Sequence, residues 1–325
     1  MIRTFVFNNG KIAGQDLDLD SLRLVLFDKG LNIWVDLEAA TDDEAKRILD
    51  GVFGFHPLAI EDCLTLSERP KVDEYETYLF LVIHAVDYTR GTTDFRTTEL
   101  NIFMGKDFLV TFHREPLRSV TATMDRVLKN APAVARAPDR LAHTVLDFLF
   151  ENYRPVLEEL SAEITELEEK VLASASADIL GDVLKVKAEV QQLRQIIAPQ
   201  REVIARFARG EFRFVRVHLL PYFRDLYDQL VRISDSAESY RDSLTSVLQV
   251  HLNLQQTQVN QVIKVLTVLA TLALPIFVIT SFYGMNFEHF PPEGSDALTA
   301  YAWVFGVTAL CTGALYWWLK RKGWL

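Results

Sequence analysis

The sequence predicts an α+β membrane protein with an N-terminal α/β domain, a long helical stalk and two C-terminal transmembrane helices. Three observations carry that expectation. Residues 1–115 alternate short β-type runs with helical ones, apolar side chains from residue 139 onward step by four and three, and residues 265–283 and 298–319 contain no charged side chain. The first is the pattern of an α/β layer, the second of packed helices, and the third of segments able to cross hydrocarbon. The expected boundaries are 1–135 for the α/β domain, 136–210 for a helical region, 211–264 for the stalk, 265–283 and 298–319 for the spans, 284–297 for the loop between them, and 320–325 for a basic tail.

Within the α/β domain, residues 3–7, 32–37, 78–86, 97–104 and 108–112 read as strands from their β-branched and aromatic content. Residues 41–53 read as a helix, because Thr41 is followed three residues on by Glu44, the pattern of a capping box. Further along, Tyr153, Leu157, Leu160, Ile164, Leu167 and Val171 form one apolar seam, and Val183, Val186, Val190, Leu193 and Ile197 form another. A third seam, Leu226, Leu230, Ile233, Ala237, Tyr240, Leu244 and Val247, runs without glycine or proline toward residue 265. The helix that bears it is expected to continue into the first span.

Each span is about 20 residues long, which suffices to cross roughly 30 Å of hydrocarbon. A buried hairpin in a soluble core is the alternative; Trp317, Trp318 and Trp324, gathered at one end as at a membrane interface, weigh against it. Lys264 precedes the first span and Lys320-Arg321-Lys322 follows the second, whereas the connecting loop has Glu288, Glu293 and Asp296 and no basic residue. The positive-inside rule then places both termini in the cytoplasm. Pro275 removes one backbone hydrogen bond inside the first span, so neighbouring helices must compensate. Two spans cannot by themselves shield a wet path from lipid. Transport would require several copies around one axis.

With 325 residues, 49% of them apolar, and a formal net charge of −10, the chain lacks the basic surface of a nucleic-acid binder and suits small cationic partners. A solvated acidic surface explains the same charge. Cys63 and Cys311 are the only cysteines, which excludes a disulfide framework and a cysteine zinc site and fits a reducing compartment. The N-terminus lacks the basic and apolar regions of a signal peptide. The sequence has no G-x-x-x-x-G-K-[ST] phosphate loop, H-E-x-x-H metal motif or G-x-S-x-G elbow, so neither an ATP-driven pump nor an enzyme is expected.

Gln249, Asn253, Gln256 and Asn260 repeat at a 4,3,4 spacing along the helix that leads to the first span, and the series extends to Ile263 and Thr267. An exposed helix face is one reading. Exposed faces usually carry Lys and Glu, however, while carboxamides without charge suit a face that meets its own symmetry copies around a wet axis, where like charges would repel.

At Tyr283-Gly284-Met285-Asn286-Phe287-Glu288, placed between two spans at the extreme C-terminus, the sequence resembles the CorA family of divalent metal-ion transporters. The resemblance extends through Trp34-Val35-Asp36-Leu37, Phe53-Gly54-Phe55-His56-Pro57-Leu58-Ala59-Ile60-Glu61-Asp62, Arg69-Pro70-Lys71-Val72 and Pro221-Tyr222-Phe223-Arg224-Asp225. It implies a funnel-shaped homopentamer in the cell inner membrane, conducting Mg²⁺, with Co²⁺ and Ni²⁺ as further substrates and no organic cofactor. Its partners would be its own copies, divalent cations and the lipid bilayer. Gly284, Met285 and Asn286, with Glu288, would form the external mouth, where carboxamide and carbonyl oxygens hydrogen-bond the water shell of Mg²⁺, an ion that dehydrates reluctantly. Gln249, Asn253, Gln256, Asn260, Ile263, Leu266, Leu274 and Phe277 would line the pore, with Ile263, Leu266 and Leu274 as an apolar gate. Asp62 and Asp225, assisted by Glu61, would bind regulatory Mg²⁺ between neighbouring cytoplasmic domains and close the pore when internal Mg²⁺ is plentiful.

Alternatives accompany each assignment. Gly284 and Asn286 both tolerate φ > 0 and could cap a helix, the loop acids could simply keep the loop soluble, and one-face packing also explains the apolar positions. Phe277 stands where the family commonly has Thr, and Gln249 where it often has an acid. A zinc transporter of the related ZntB type, with proton coupling, shares the architecture, and a non-conducting membrane-anchored metal sensor is a more distant reading.

Overall fold

The computed structural model describes residues 1–26, 28, 30–66, 69–86, 97–173, 177–285 and 297–324, which divide into two units, Met1–Val247 and Leu248–Leu325. In the first unit the chain opens with a hairpin of β1 (Ile2–Asn8) and β2 (Lys11–Gln15), closed by Asn9-Gly10 at φ 51° and 77°. Both residues tolerate the left-handed conformation that such a two-residue turn demands. α1 (Leu19–Leu26) leads to β3 (Leu31–Glu38), followed by α2 (Asp42–Leu49) and α3 (Pro57–Leu64). The strands β4 (Lys71–Glu74), β5 (Tyr78–Val86), β6 (Thr97–Gly105) and β7 (Phe108–His113) complete a seven-stranded sheet of order β2-β1-β3-β7-β6-β5-β4. Only β3 and β7 run parallel among the described pairs.

Every residue of β5 is buried, because this sheet is covered on both faces, and a strand so placed reads as a continuous apolar run. On one face α2 and α3 seal a core built on Val35, Leu37, Phe80, Phe103 and Val110, into which Phe55 stacks at 4.3 Å from Phe103. The capping box starts α2: the Thr41 hydroxyl accepts from the Glu44 N–H at 3.3 Å and the Glu44 carboxylate accepts from the Thr41 N–H at 3.0 Å. The helices α4 (Arg118–Val134) and α5 (Pro138–Glu151) follow the sheet; α5 packs on it, and its Leu146, Leu149 and Phe150 are fully buried.

α6 (Tyr153–Ala173) and α7 (Ala177–Arg209) pair along the two seams seen in sequence. One register differs: Val156 is buried on α6 and Leu157 is only half-buried, so tertiary packing favours the side of the seam on which Val156 lies. α8 (Leu220–Tyr283) is a single helix of 64 residues, preceded by one 3₁₀ turn at Val217–Leu219. Its seam residues Leu226, Leu230, Ile233, Ala237, Leu244 and Val247 are buried in the first unit.

In the second unit the remainder of α8 pairs antiparallel with α9 (Ala297–Arg321). Lys264 Nζ donates to the Gly323 carbonyl at 2.9 Å near one end, and the Tyr283 ring meets Trp303 edge-on at 5.8 Å near the other. The most apolar stretches of the two helices are only 11% and 6% buried. That burial excludes the core of a soluble hairpin. Apolar side chains directed outward on all sides are what lipid solvates.

The open edge of β5 shows how the first unit satisfies its buried backbone. β4 begins at Lys71, opposite Val82, and two residues further along β5 side chains take its place: the His84 N–H donates to Gln200 Oε1 at 3.1 Å and the His84 carbonyl accepts from Tyr153 Oη at 2.7 Å. Gln200 Nε2 in turn donates to Tyr153 Oη at 2.7 Å. The knot ties α6 and α7 to the sheet. Tyr153→Phe removes two of these bonds while keeping the ring, and a buried polar group left without its partner costs about 1–3 kcal/mol. Denaturant unfolding of the full chain is expected to show a loss of that size, with no change in secondary structure by circular dichroism.

Candidate functional site

The segment from Phe53 to Pro57 sets α3 and hence Asp62. Gly54, at φ 63°, turns the chain out of α2, with its N–H on the Asp50 carbonyl at 3.0 Å. His56 then caps α3 by accepting from the Leu58 N–H at 3.2 Å, and Pro57 occupies the first turn, where its missing N–H is not needed. Asp62 lies in the last turn of α3 and faces Lys71 at the start of β4, Nζ to Oδ2 being 2.5 Å. Lys71 also reaches Asp73 at 3.2 Å. Partial burial pulls the Lys71 ammonium down, and the hydrogen bonds to Asp62 and Asp73 more than offset it, holding its pKa above the ordinary lysine value. The bond puts a lysine where a cation at Asp62 would sit. Glu61 is exposed beside it.

Asp225 sits on an exposed face of α8, one turn after its start. Its position is fixed from below. Asp139 of α5, 3% exposed, accepts from Arg216 Nε at 2.8 Å, Arg216 Nη2 at 2.5 Å and the Arg216 N–H at 3.1 Å, a fork that fixes where α8 begins. Arg140 stacks over Tyr222 at 4.2 Å, and His143 meets Phe223 edge-on at 5.4 Å. Within one chain, Asp62 and Asp225 share no ion pair or hydrogen bond among the described residues. Sequence reasoning did not anticipate Lys71 as the partner of Asp62, although it lies in the Arg69-Pro70-Lys71-Val72 segment. Whether a surface lysine and aspartate meet depends on the tertiary path between α3 and β4.

Gln249, Asn253, Gln256 and Asn260 are exposed along α8, and Gln256 Nε2 donates to Asn260 Oδ1 at 3.2 Å. That bond links the last two members of the stripe across one helical turn. At about 100° per residue, Leu274 stays within roughly 30° of the mean line of the stripe and Ile263 within roughly 50°, whereas Leu266 and Phe277 fall roughly 110° and 90° to one side. All four are exposed on the isolated chain, and Leu266 and Leu274 line a cleft with Thr267 of α8 and Leu315 of α9. The end of α8 is regular: the Gly284 N–H bonds the Thr280 carbonyl at 2.9 Å and the Met285 N–H tightens onto Phe282 at 3.3 Å. Gly284 is not in the left-handed region, so no glycine cap turns the chain there. Asn286 and Glu288, with Glu293 and Asp296, lie outside the described residues.

An α/β unit whose last helix runs unbroken into an antiparallel pair of lipid-facing helices defines a class of membrane protein with two C-terminal spans. Residues 30–321 match the family model described as CorA-like Mg2+ transporter protein, and the chain belongs to that family. A cobalt/magnesium transport protein CorA of Thermotoga maritima is 29% identical over 95% of this chain and 87% of its own length. The complete structure of the CorA magnesium transporter of Methanocaldococcus jannaschii superposes with a TM-score of 0.82 at 23% identity, covering 99% of this chain and 98% of that one. The ZntB cytoplasmic domain of Vibrio parahaemolyticus shares the fold of the soluble part, with a TM-score of 0.60 at 12% identity over 70% of this chain and 88% of its own. The protein is thus a divalent-cation transporter of the CorA family and not an enzyme.

His143 supplies a pH test of the region around Asp225. Burial against Tyr222 and Phe223 depresses its pKa, although the charges of Asp147 and Asp225 act the other way. A histidine depressed in the folded state contributes stability that is complete above its unfolded value near 6.5 and is lost as the pH falls through its folded value. The thermal midpoint is therefore expected to drop between pH of about 7.5 and about 5.5, and His143→Phe should shrink that drop.

Proposed function

We propose that the chain assembles as a homopentamer in the cell inner membrane, both termini cytoplasmic, and conducts Mg²⁺ passively inward, with Co²⁺ and Ni²⁺ as further substrates. The observation that carries this reading is the uncharged stripe Gln249, Asn253, Gln256 and Asn260 on the helix that becomes the first span, in a chain of this family. Five carboxamides per level offer oxygen acceptors to a hydrated ion without the repulsion that five carboxylates would suffer, and without a charge that would trap it. An inside-negative potential supplies about 4.6 kcal/mol per 100 mV to a divalent cation, so no further energy source is required. Gly284, Met285, Asn286 and Glu288 form the outer mouth, and Ile263 and Leu274 provide an apolar constriction, with Leu266 and Phe277 at its flank.

Asp62, Asp225 and Glu61 act as the regulatory Mg²⁺ site between neighbouring copies. The exposed position of Asp225 supports this, since its carboxylate is available to a second chain. Lys71 adds a switch: with Mg²⁺ absent it neutralises Asp62, and with Mg²⁺ present it must withdraw. Metal loss then leaves fewer contacts between copies, which favours the open pore.

Uptake by liposomes tests the mouth and the regulatory site separately. Each lost Asn286 carboxamide removes about 1 kcal/mol of hydrogen bonding to the ion's waters, and every copy loses one. Asn286→Ala is accordingly expected to cut Mg²⁺ uptake by roughly 100-fold or more. Unchanged uptake would rule out the assigned mouth. Asp62→Ala and Asp225→Ala should leave uptake intact while raising the internal Mg²⁺ needed to suppress it. Zn²⁺ uptake that needs a proton gradient, without Mg²⁺ uptake, would select the zinc-transporter reading instead.

A further inference from the structure

The parallel pair β3 and β7 ends in a cluster that neither the conduction path nor the regulatory site uses. Strand alternation puts Asp36 and Glu38 of β3 on one face, and the register pairs them with Thr111 and His113 of β7 on the same face. This is the face away from the Val35, Leu37, Val110 and Phe112 core. One donor atom each from Asp36, Glu38 and His113 lies within 4.8 Å of the others. Asp36 and His113 are 0% and 1% exposed.

Hydrogen bonding fixes how these groups present themselves. His113 Nδ1 is 2.7 Å from the Glu115 carbonyl, which can only accept, so Nδ1 carries the proton. Nε2 then faces Asp36 Oδ1 at 3.2 Å. Asp36 Oδ1 also accepts from the Thr111 hydroxyl at 2.5 Å, and that hydroxyl accepts from Trp34 Nε1 at 3.1 Å. Asp36 Oδ2, by contrast, is fully buried with no hydrogen-bond partner among the described residues. A buried carboxylate oxygen without a partner is costly and needs a positive species beside it. Glu38 is the more open member, its side chain 19% exposed, with Arg3 at 3.8 Å, too far for a hydrogen bond.

We propose that Asp36, Glu38 and His113 form a binding site for a first-row transition cation, Zn²⁺ or Co²⁺, in the first unit. The donor set is one imidazole nitrogen and two carboxylates, which suits such ions and not Mg²⁺, whose ligands are oxygen alone. At metal–ligand distances of about 2.0–2.2 Å, two donors on one ion stand roughly 3–3.5 Å apart, and the Nε2 to Oδ1 separation of 3.2 Å falls there. The supporting groups are those a metal site requires: a carbonyl that fixes the histidine tautomer and a hydroxyl that orients the carboxylate. Glu38 and water complete the coordination from the rim. A bound ion clamps β3 to β7, the one parallel pair of the described sheet.

The test uses the purified full chain, stripped of metal and dialysed against Zn²⁺ with Mg²⁺ in large excess to occupy oxygen-only sites. Wild type, Asp62→Ala and Asp225→Ala are each expected to retain a single tightly held Zn²⁺ per chain and to gain thermal stability from it. His113→Gln should weaken that binding by about 100-fold or more and lose the thermal shift. Wild-type affinity in His113→Gln, or no retained Zn²⁺ in the wild type, would overturn the proposal. Should His113→Gln fail to fold, Glu38→Gln at the rim decides: binding weakened by about 10-fold supports the site, and unchanged binding refutes it.

Discussion

A single continuous helix from Leu220 to Tyr283 is the constraint on which the rest of the chain depends. In water a helix may break, because solvent takes up the freed groups; in hydrocarbon every N–H and C=O must bond within the helix or to a neighbour. α8 has to meet both conditions, each in a different part of its length. Its first part buries a seam of Leu226, Leu230, Ile233 and Leu244 in the α/β unit, and its last part exposes Leu266, Leu269, Phe277 and Val278. Pro221 stands in the first turn, where its missing N–H is not needed; inside the helix proline enters at Pro275, beyond the last seam residue, and the helix continues through it.

Fixing such a helix requires a rigid start, and the first unit supplies one. The Asp139–Arg216 fork sets where α8 begins, while the Tyr153–Gln200–His84 knot holds α6 and α7 to the sheet edge. The knot is buried, and in the fork Asp139 is buried while Arg216 reaches it from the surface. Each holds because its buried groups are bonded, and removing Arg216 or Tyr153 would strand Asp139 or Gln200 in low dielectric. The contrast with Asp62 and Lys71 is instructive: that pair is near the surface, worth little as stability, and so able to exchange partners as a regulatory contact must.

Electrostatics divides the labour along the chain. Charged side chains are dense in the first unit, where water screens them, and the stripe of α8 carries amides only. Gln249 fits this division: a carboxamide keeps the acceptor and carries no charge. Phe277 is the exception, an aromatic flank to a line of smaller side chains.

Much of this was legible in sequence because it is periodic or local. The seams of α6, α7 and α8, the Thr41–Glu44 box and the two charge-free runs each follow from spacing alone, since a helix repeats every 3.6 residues and hydrocarbon admits no charge. The hairpin strand β2 could also have been read, from Asn9-Gly10. What the linear sequence withheld depends on pairing between distant segments. No spacing reveals that β3 runs parallel to β7, and only that register brings Asp36 and Glu38 to His113, or Lys71 to Asp62. Side-chain identity and period are one-dimensional properties, fixed by the order of residues. Which carboxylate meets which cation is decided by tertiary packing, because it is set by strand order and loop path through space.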